Sequence, residues 1–218
     1  MTLARRSNTG SDEKRQAILD AAAEVFMTLG FSGASLDDIS DHYGATKGII
    51  YYHFRNKTYL FFAVLHRAMV LTQEAIEPPS KTADSAAKRL YAMAKAHTHL
   101  IMNHLAYLRV SGLGAQLHMS GRTSESEREQ MREITRMRDE NEGIYLRVIN
   151  EGIESGEFRA ANGRIAVKSL LGALNWTSRW YRPYEGENQE DRDKLAREIA
   201  AFSVHAFLPS NNWVNNEQ

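Results

Sequence analysis

Residues 35–60, with the sequence SLDDISDHYGATKGIIYYHFRNKTYL, contain start and stop signals for two short helices that lie close together. Ser35 and Asp38 have the spacing of a capping box, which predicts that a helix begins directly after Ser35. Gly44 adopts a positive φ at low cost and is expected to end that helix. Thr46 can cap a second helix almost at once. The spacing therefore predicts a helix-turn-helix.

The first turn of the second helix begins with Lys47 and Gly48. In a helix that enters a major groove, the side chains of this turn meet the base edges. Glycine weakens a helix by roughly 1 kcal/mol relative to alanine. A residue without a side chain is nevertheless useful where the helix must approach DNA closely, which gives Gly48 a physical reason to be there.

The run YYHFRNK at residues 51–57 combines one apolar anchor with several hydrogen-bond donors. Phe54 is expected in the core, and Asn56 can cap a further helix. The other donors have suitable spacing for phosphate oxygens, and residues 42–73 carry four Lys or Arg side chains but no Asp or Glu. Taken alone, such an aromatic run is more often core than DNA surface. Its combination with the caps, the turn and the basic stretch favours DNA binding.

This segment resembles the DNA-binding domain of TetR-family transcriptional regulators, in which a glycine turn precedes a Ser/Thr-Lys/Arg-Gly start, a Tyr-Tyr/His-Phe run and a lysine. It departs from the family pattern at Ser40 and at residues 42–43, where small apolar residues are more usual. The resemblance implies an all-α, nine-helix TetR-like fold with an N-terminal helix-turn-helix domain and a C-terminal ligand-binding and dimerisation domain. The predicted DNA-binding residues are Ser35, Thr46, Lys47, Gly48, Tyr51, Tyr52, His53 and Lys57.

Apolar residues recur at helical spacing along the rest of the chain, and no strand pattern competes. The helices predicted outside residues 35–55 cover residues 11–30, 56–77, 81–104, 105–119, 125–155, 162–182 and 189–208. The second of these is expected to end at Pro78-Pro79, because proline lacks an N–H and restricts the residue before it. The predicted domains are 1–57, whose first residues form a flexible arm, a connecting helix at 58–79, a ligand-binding and dimerisation domain at 80–210, and a tail at 211–218.

The composition argues against several classes of protein. Hydrophobic residues make up 43% of the 218 residues and charged residues 25%, as in a soluble globular protein, and there is no cysteine. No segment approaches the roughly 20 apolar residues of a membrane span, and nothing resembles a signal peptide. We therefore expect a cytoplasmic protein without a membrane partner.

Enzymatic and metal sites are not expected. We find no nucleophile paired with a base and no glycine loop that could cradle phosphate, so we predict no enzyme and no cofactor. His97 and His99 project about 200° apart on a helix, and no carboxylate joins them at ligand spacing, which argues against a metal site.

The last two predicted helices, residues 162–182 and 189–208, have more apolar surface than one small domain needs. We infer a homodimer formed through a four-helix bundle, because a twofold dimer places two recognition helices at half-sites about 34 to 36 Å apart. The alternative is that both helices only close the core of one monomer.

In the TetR family the C-terminal domain usually holds a small-molecule cavity. The segment NWTSRWYRPYEG at residues 175–186 is similar to one in TetR-like regulators of lipid and steroid breakdown that respond to acyl-CoA thioesters. That likeness implies that Arg179, Arg182 or Lys168 meets the phosphates of coenzyme A; the alternative is that this segment packs a dimer or is solvated. The predicted ligand-binding residues are Met93, His97, His104, Met137, Tyr145, Trp176 and Arg179.

The sequence thus predicts a ligand-responsive transcriptional repressor that binds palindromic, double-stranded operator DNA as a homodimer. A small hydrophobic effector, such as an acyl-CoA thioester, is expected to release it. One alternative is a DNA-binding architectural protein without an effector, and another is a helical enzyme.

Overall fold

The computed structural model describes residues 3–117, 124–159 and 162–209, with side chains from residue 10 onwards except residues 113–117. All nine elements in these segments are helices, which confirms the predicted all-α fold. They are α1 Leu3–Gly33, α2 Leu36–Tyr43, α3 Lys47–His53, α4 Lys57–Ser80, α5 Ala86–Asn103, α6 Leu105–Leu117, α7 Glu125–Glu154, α8 Gly163–Trp180 and α9 Gln189–His205.

The first compact unit comprises Met1–Val70 and His104–Arg136. Here α1 packs against α2 and α6, and α2 packs against α3. The core contains an aromatic cluster in which the rings of Phe26 and Phe61 meet edge to face, with centroids 5.3 Å apart. Other fully buried side chains are Ile18, Ile39, Ile50, Phe54 and Leu60.

Helix α1 is longer than predicted. It begins at Leu3, so residues 3–10, expected to form a flexible arm, are helical. Near its other end the helix is interrupted at Gly30, where φ is 70° and ψ is 167°. Only glycine adopts this left-handed region freely, which explains why the sequence signal for a helix end falls at this residue.

The two departures from the family pattern fit the fold. Ser40 is buried, and its hydroxyl donates to the carbonyl of Asp37 at 2.9 Å within its own helix. His42 lies at the surface of α2, with Nε2 2.8 Å from the carboxylate of Glu24 on α1. Neither residue leaves an unsatisfied polar group between the first helices.

Helix α4 does not end at Pro78-Pro79 as predicted; it continues to Ser80. The prolines lie in the last turn, where each removes only one helical hydrogen bond. The final carbonyls find partners instead, because the Ser80 hydroxyl donates to Glu77 at 2.6 Å and the N–H of Lys81 donates to Pro78 at 3.2 Å. This local capping lets the helix extend past the prolines.

The second compact unit comprises Leu71–Asn103 and Met137–Gln218. Helix α5 packs against α8 and α9, which also pack against each other. Its core includes Leu90, Met93, Ile144, Tyr145, Ile149, Val167, Leu170, Leu174 and Phe207. The boundaries of the two units fall within α4, between α5 and α6, and within α7. The sequence predicted 1–57, 58–79 and 80–210 instead, and that domain division stays a prediction. The predicted tail, 211–218, lies outside the described residues.

Helix α5 begins at Ala86 rather than near residue 81. The carboxylate of Glu157, beyond the end of α7, accepts hydrogen bonds from the N–H groups of Ala86 at 3.2 Å and Ala87 at 3.0 Å. A carboxylate at a helix N-terminus satisfies free donors and interacts favourably with the helix dipole. These hydrogen bonds lower the pKa of Glu157. The start of α5 is therefore stabilised by a residue far away in sequence.

A polar pair lies inside the apolar core of this unit. Nδ1 of His97 is 3.0 Å from the hydroxyl oxygen of Tyr145, and that hydroxyl donates to the carbonyl of Met93 at 3.4 Å. Burial lowers the pKa of His97 to about 4, although the nearby side chain of Asn175 acts in the opposite direction. Burial likewise raises the pKa of Tyr145. Both side chains are therefore neutral at neutral pH.

The buried His97 predicts a pH-dependent stability. An unfolded histidine titrates near pH 6.5 and His97 in the folded protein near 4, so the unfolded state binds more protons between these values. Stability is fully present above about pH 6.5 and falls as the pH drops towards 4, by up to about 1.4 kcal/mol per pH unit. Urea unfolding at a series of pH values measures this slope.

The matched comparison is His97→Gln against His205→Gln. Both replace a histidine of the same unit by a neutral amide, but His205 is exposed. We expect His97→Gln to flatten the slope between pH 4 and 6.5 and His205→Gln to keep it. An unchanged slope in His97→Gln would contradict the assignment.

Candidate nucleic-acid interface

Local caps fix the positions of α2 and α3. The hydroxyl of Ser35 accepts from the N–H of Asp38 at 3.1 Å, and the Asp38 carboxylate accepts from the N–H of Ser35 at 2.7 Å. The Ser35 hydroxyl also donates to that carboxylate at 2.6 Å, and this hydrogen bond, together with the one from the Ser35 N–H, lowers the pKa of Asp38. Gly44 ends α2 with a φ of 76°. The predicted capping box and glycine turn are both present, and α3 begins three residues after the glycine.

The short helix α3 is attached to the unit by two side chains. Ile50 and Phe54 are fully buried, and the N–H of Phe54 donates to the carbonyl of Ile50 at 2.8 Å to end the helix. Most of the remaining surface of α3 is exposed, and Tyr52 reaches 81% exposure. A helix anchored on one side presents the other side to a partner.

An open groove of about 820 Å³ adjoins the exposed side of α3. Three segments of the first unit line it: the beginning of α1, the turn after α2, and α3 itself. The lining residues are Gly10, Ser11, Lys14, Tyr43, Gly44, Ala45, Gly48, Ile49, Tyr52 and His53. Gly48, Tyr52 and His53 were predicted from the sequence, whereas Lys14 was not. Its signal was weak, because a lysine in the charged beginning of a helix looks like ordinary solvated surface.

Lys47, the first residue of α3, is already paired. Its ammonium is 2.8 Å from the carboxylate of Asp37 on α2, and both side chains are exposed. The hydrogen bond to Asp37 raises the pKa of Lys47, which therefore stays charged at neutral pH. Exposed ion pairs contribute little free energy, so a phosphate or a base can replace Asp37 at small cost.

Lys57 has a structural role that the sequence did not reveal. Its ammonium donates to the carbonyls of Phe31 at 2.8 Å and Ala34 at 2.7 Å, and it lies 4.7 Å from the centre of the Phe31 ring. Two of its three donors thus hold the chain between α1 and α2. A DNA contact through the third donor stays a prediction.

The remaining predicted DNA residues are divided between capping and exposed positions. The Ser35 hydroxyl serves the capping box, while Thr46 occupies the N-cap position of α3 without a side-chain capping hydrogen bond. Tyr51 is exposed, and the rings of Tyr52 and His53 meet edge to face with centroids 5.0 Å apart. As predicted, Asn56 caps α4, accepting from the N–H of Tyr59 at 2.8 Å. DNA contacts stay a prediction for the residues Ser35, Thr46, Tyr51, Tyr52 and His53.

The predicted ligand-binding residues do not form one cluster. Met93, His97, Met137 and Tyr145 are buried in the second unit, whereas Trp176 and Arg179 are exposed on α8. His104 belongs to the first unit, where its exposed ring lies 6.4 Å from that of Tyr107. Helical spacing alone placed His104 beside His97, but α5 ends between them at Asn103.

The described residues form neither a metal-binding group nor a membrane-spanning helix. Between residues 3 and 209, leaving out 118–123 and 160–161, no three His, Asp or Glu side chains are placed to hold a metal ion. In the same segments no helix is long and apolar enough to cross a membrane.

Two family models match the chain. Residues 18–64 match "Bacterial regulatory proteins, tetR family", a range that includes α2, α3 and the groove residues between 43 and 53 but not those at the beginning of α1. Residues 83–207, more than half of the chain, match "Tetracyclin repressor-like, C-terminal domain".

Individual proteins agree with the family models. The transcriptional activator FasR of Mycolicibacterium smegmatis is 35% identical over 85 residues, which are 39% of this chain and 39% of FasR. The match therefore spans well under half of that relative.

Two solved structures show the same fold at low identity. The ketosteroid transcriptional regulator KstR2 of Mycobacterium tuberculosis superposes with a TM-score of 0.76 at 21% identity, covering 90% of this chain and 95% of KstR2. The regulator AibR, solved with isovaleryl coenzyme A and operator DNA, gives a TM-score of 0.71 at 22% identity, covering 90% of this chain and 98% of AibR. The capped helix-turn-helix, the nine helices of the described residues and the two family models lead to one conclusion: this chain belongs to the TetR family of transcriptional regulators, a family of DNA-binding proteins rather than enzymes.

Proposed function

We propose that this chain is a cytoplasmic repressor that binds a palindromic operator as a homodimer and leaves it when a small hydrophobic effector binds. The observation that carries the proposal is the exposed side of α3 beside the groove, where Lys47, Gly48 and Tyr52 have no core to pack on. Lys47 and Gly48 approach the bases, whereas Tyr51, Tyr52, His53 and Lys57 bind phosphates. Ser35 and Thr46 are the N-caps of α2 and α3. In this proposal both contact the sugar-phosphate backbone of the DNA.

The basic groups available to phosphate extend beyond the recognition helix. Lys14 on α1 lines the same groove as Tyr52 and His53 and adds a positive charge to it. Phosphate contacts position a protein on DNA and make its affinity salt-dependent. We include Lys14 among the residues that orient α3 in the major groove.

Gly48→Ala tests close approach to DNA. A Cβ at this position meets only the Thr46 hydroxyl oxygen, at 3.9 Å, so the free protein tolerates it. Alanine is also the better helix former, so we expect stability to be unchanged or higher. On DNA the added methyl group separates α3 from the bases, and we expect affinity for a selected operator to fall at least tenfold, or about 1.4 kcal/mol.

The duplex is enriched from a random DNA library by the wild-type protein. Fluorescence anisotropy then measures its affinity for the wild type and each variant, and thermal melting measures their stability. Gly143→Ala is the matched control, because a Cβ there meets no atom within 4 Å and the residue lies in α7, in the second unit. Equal DNA affinity for Gly48→Ala and wild type would overturn the proposed docking. Failure of the library to enrich any sequence would count against specific DNA binding.

The dimer is proposed from an exposed apolar stripe on α8 and α9. Ile165 and Trp176 on α8 are each 65% exposed, and Phe202 on α9 is 77% exposed. Between the two bulky residues of α8 lie Ser169, Gly172 and Ala173, which let another helix approach closely. A surface cavity of about 490 Å³ between α8 and α9 includes Ile165, Ala173 and Phe202. Burying this stripe against its copy removes apolar surface from water.

We expect Phe202→Asp to give a folded monomer. Phe202 is exposed in the single chain, so its replacement removes no core contact, whereas a buried, unpaired carboxylate at a dimer interface costs several kcal/mol. Analytical ultracentrifugation at micromolar concentration measures the mass of the protein in solution. Operator binding should also weaken, because a single helix-turn-helix makes too few contacts with DNA. Lys88→Asp, on the exposed surface of α5, is the control. A dimeric Phe202→Asp protein would exclude this interface.

The effector is proposed to be hydrophobic, with acyl-CoA thioesters as the leading class. Supporting this are the likeness to KstR2 and to AibR, whose structure holds isovaleryl coenzyme A. In this chain the core around Met93 contains the neutral pair His97 and Tyr145, which can orient a polar group within an apolar wall. Arg179 is exposed on α8, where its cation can meet a phosphate, whereas the exposed Trp176 belongs to the stripe assigned above to the dimer.

Titration of the operator complex tests the effector class. Isovaleryl-CoA, octanoyl-CoA, the corresponding free acids and free coenzyme A are added to the labelled complex, and release is followed by anisotropy. We expect release by at least one thioester, with a coupling of about 1 to 3 kcal/mol. Arg179→Gln should weaken the response to the thioester and leave operator affinity unchanged. If none of the compounds releases the operator, the result would favour an architectural DNA-binding protein without an effector.

A further inference from the structure

The first compact unit contains a second cavity, away from the groove that faces DNA. It has a volume of about 320 Å³ and lies between α1, α4 and the amino-terminal part of α7. This side cavity, as we call it, is within the size range of small-molecule sites. Its lining includes Leu19, Phe62 and Ile134 as an apolar wall and Arg15, His66 and Arg67 as a basic edge.

The acidic group of the side cavity is already paired within α7. Its acidic lining residue is Glu133, and the guanidinium of Arg136 holds both oxygens of that carboxylate, at 2.6 Å and 2.9 Å. Glu133 is therefore already paired and does not neutralise Arg15. Gln16 and Gln130 complete the polar part of the lining without adding charge. An apolar wall with an adjacent basic edge suits an amphiphile with one anionic end.

The side cavity is connected to the recognition helix through one side chain. The guanidinium of Arg15 lies over the ring of Phe54, 4.9 Å from its centre. Phe54 is the residue that ends α3 and anchors it in the core. Cation–π contacts of this kind contribute about 0.5 to 1 kcal/mol at exposed sites. A ligand that attracts Arg15 therefore competes directly with the anchor of α3.

A second connection leads to α6. Gln16, also in the lining, donates to the hydroxyl of Tyr107 at 3.1 Å and to the carboxylate of Asp20 at 2.9 Å. The Tyr107 hydroxyl donates to the same carboxylate at 2.8 Å, so α1 and α6 share one hydrogen-bonded cluster. Both polar side chains of α1 that line the cavity, Arg15 and Gln16, thus have partners elsewhere in the first unit.

We propose that the side cavity is a ligand site for a small amphiphilic carboxylate, and that its occupation weakens DNA binding by drawing Arg15 away from Phe54. The carboxylate pairs with the basic edge and the aliphatic part lies on Leu19, Phe62 and Ile134. A neutral alcohol forgoes the ion pair, and an alkylamine meets like charges. This site lies in the first unit and is separate from the effector core around His97.

Binding is measured on the full chain without DNA, by calorimetric titration with octanoate, 1-octanol and octylamine. We expect octanoate to bind at least tenfold more tightly than 1-octanol and octylamine not to bind. Arg15→Gln should weaken octanoate binding at least tenfold, and Ala63→Trp, which fills the cavity, should abolish it. Arg138→Gln removes an exposed arginine of α7 outside this lining and should leave binding unchanged.

The outcomes separate this site from the proposed effector core. Octanoate binding that is lost in His97→Gln but kept in Arg15→Gln would place the ligand in the second unit and overturn the proposal. Equal binding of octanoate and 1-octanol would overturn the anionic class. Because no DNA is present, absence of a specific operator does not affect these results.

The coupling to DNA is a separate measurement. On the selected duplex, saturating octanoate should lower the affinity of the wild-type protein about two- to fivefold, the range for about 0.5 to 1 kcal/mol. The affinity of Ala63→Trp should not respond. Octanoate binding to the wild type without any change in DNA affinity would refute the link through Phe54.

Discussion

The burial of Ile50 and Phe54 is the interaction on which the exposed, candidate DNA-binding side of α3 depends. Helix α3 has seven residues, far fewer than an isolated helix needs to be stable in water. Its conformation and direction therefore follow from these two anchors and from the caps of α2, not from its own propensity. The same anchoring leaves Lys47, Gly48 and Tyr52 with no apolar partner on the protein side. Recognition of DNA is in this sense a consequence of how a short helix is fastened to its core.

Features set by neighbouring residues were predictable from the sequence. The capping box of Ser35 and Asp38, the left-handed Gly44 and the Asn56 cap all join groups a few residues apart, so their chemistry can be read along the chain. The burial of Phe54 follows from its helical spacing, since Ile50 lies one turn earlier. The all-α architecture follows from the same local periodicity.

Features set by distant residues were not predictable. The carbonyls bound by Lys57 come from the end of α1, and the ring under Arg15 comes from the end of α3. Helical spacing likewise put His104 on one face with His97, because it could not show that α5 ends at Asn103. The partners of Lys57 and Arg15 depend on where a second helix lies, and the position of His104 depends on where its own helix ends. Single side chains could be assigned a chemistry from sequence, but not their partners.

The cap that Glu157 provides to α5 has a consequence for folding during synthesis. The residues joined, Ala86 and Ala87, are made 71 and 70 positions before the carboxylate that they bind. Until the ribosome has released the segment beyond α7, the first turn of α5 lacks this partner. Helix α5 and its neighbour α9, later still in sequence, therefore reach their native arrangement only after most of the chain has emerged. The C-terminal part of the molecule thus folds late and as a unit, whereas the reading helices, close together in sequence, can form early.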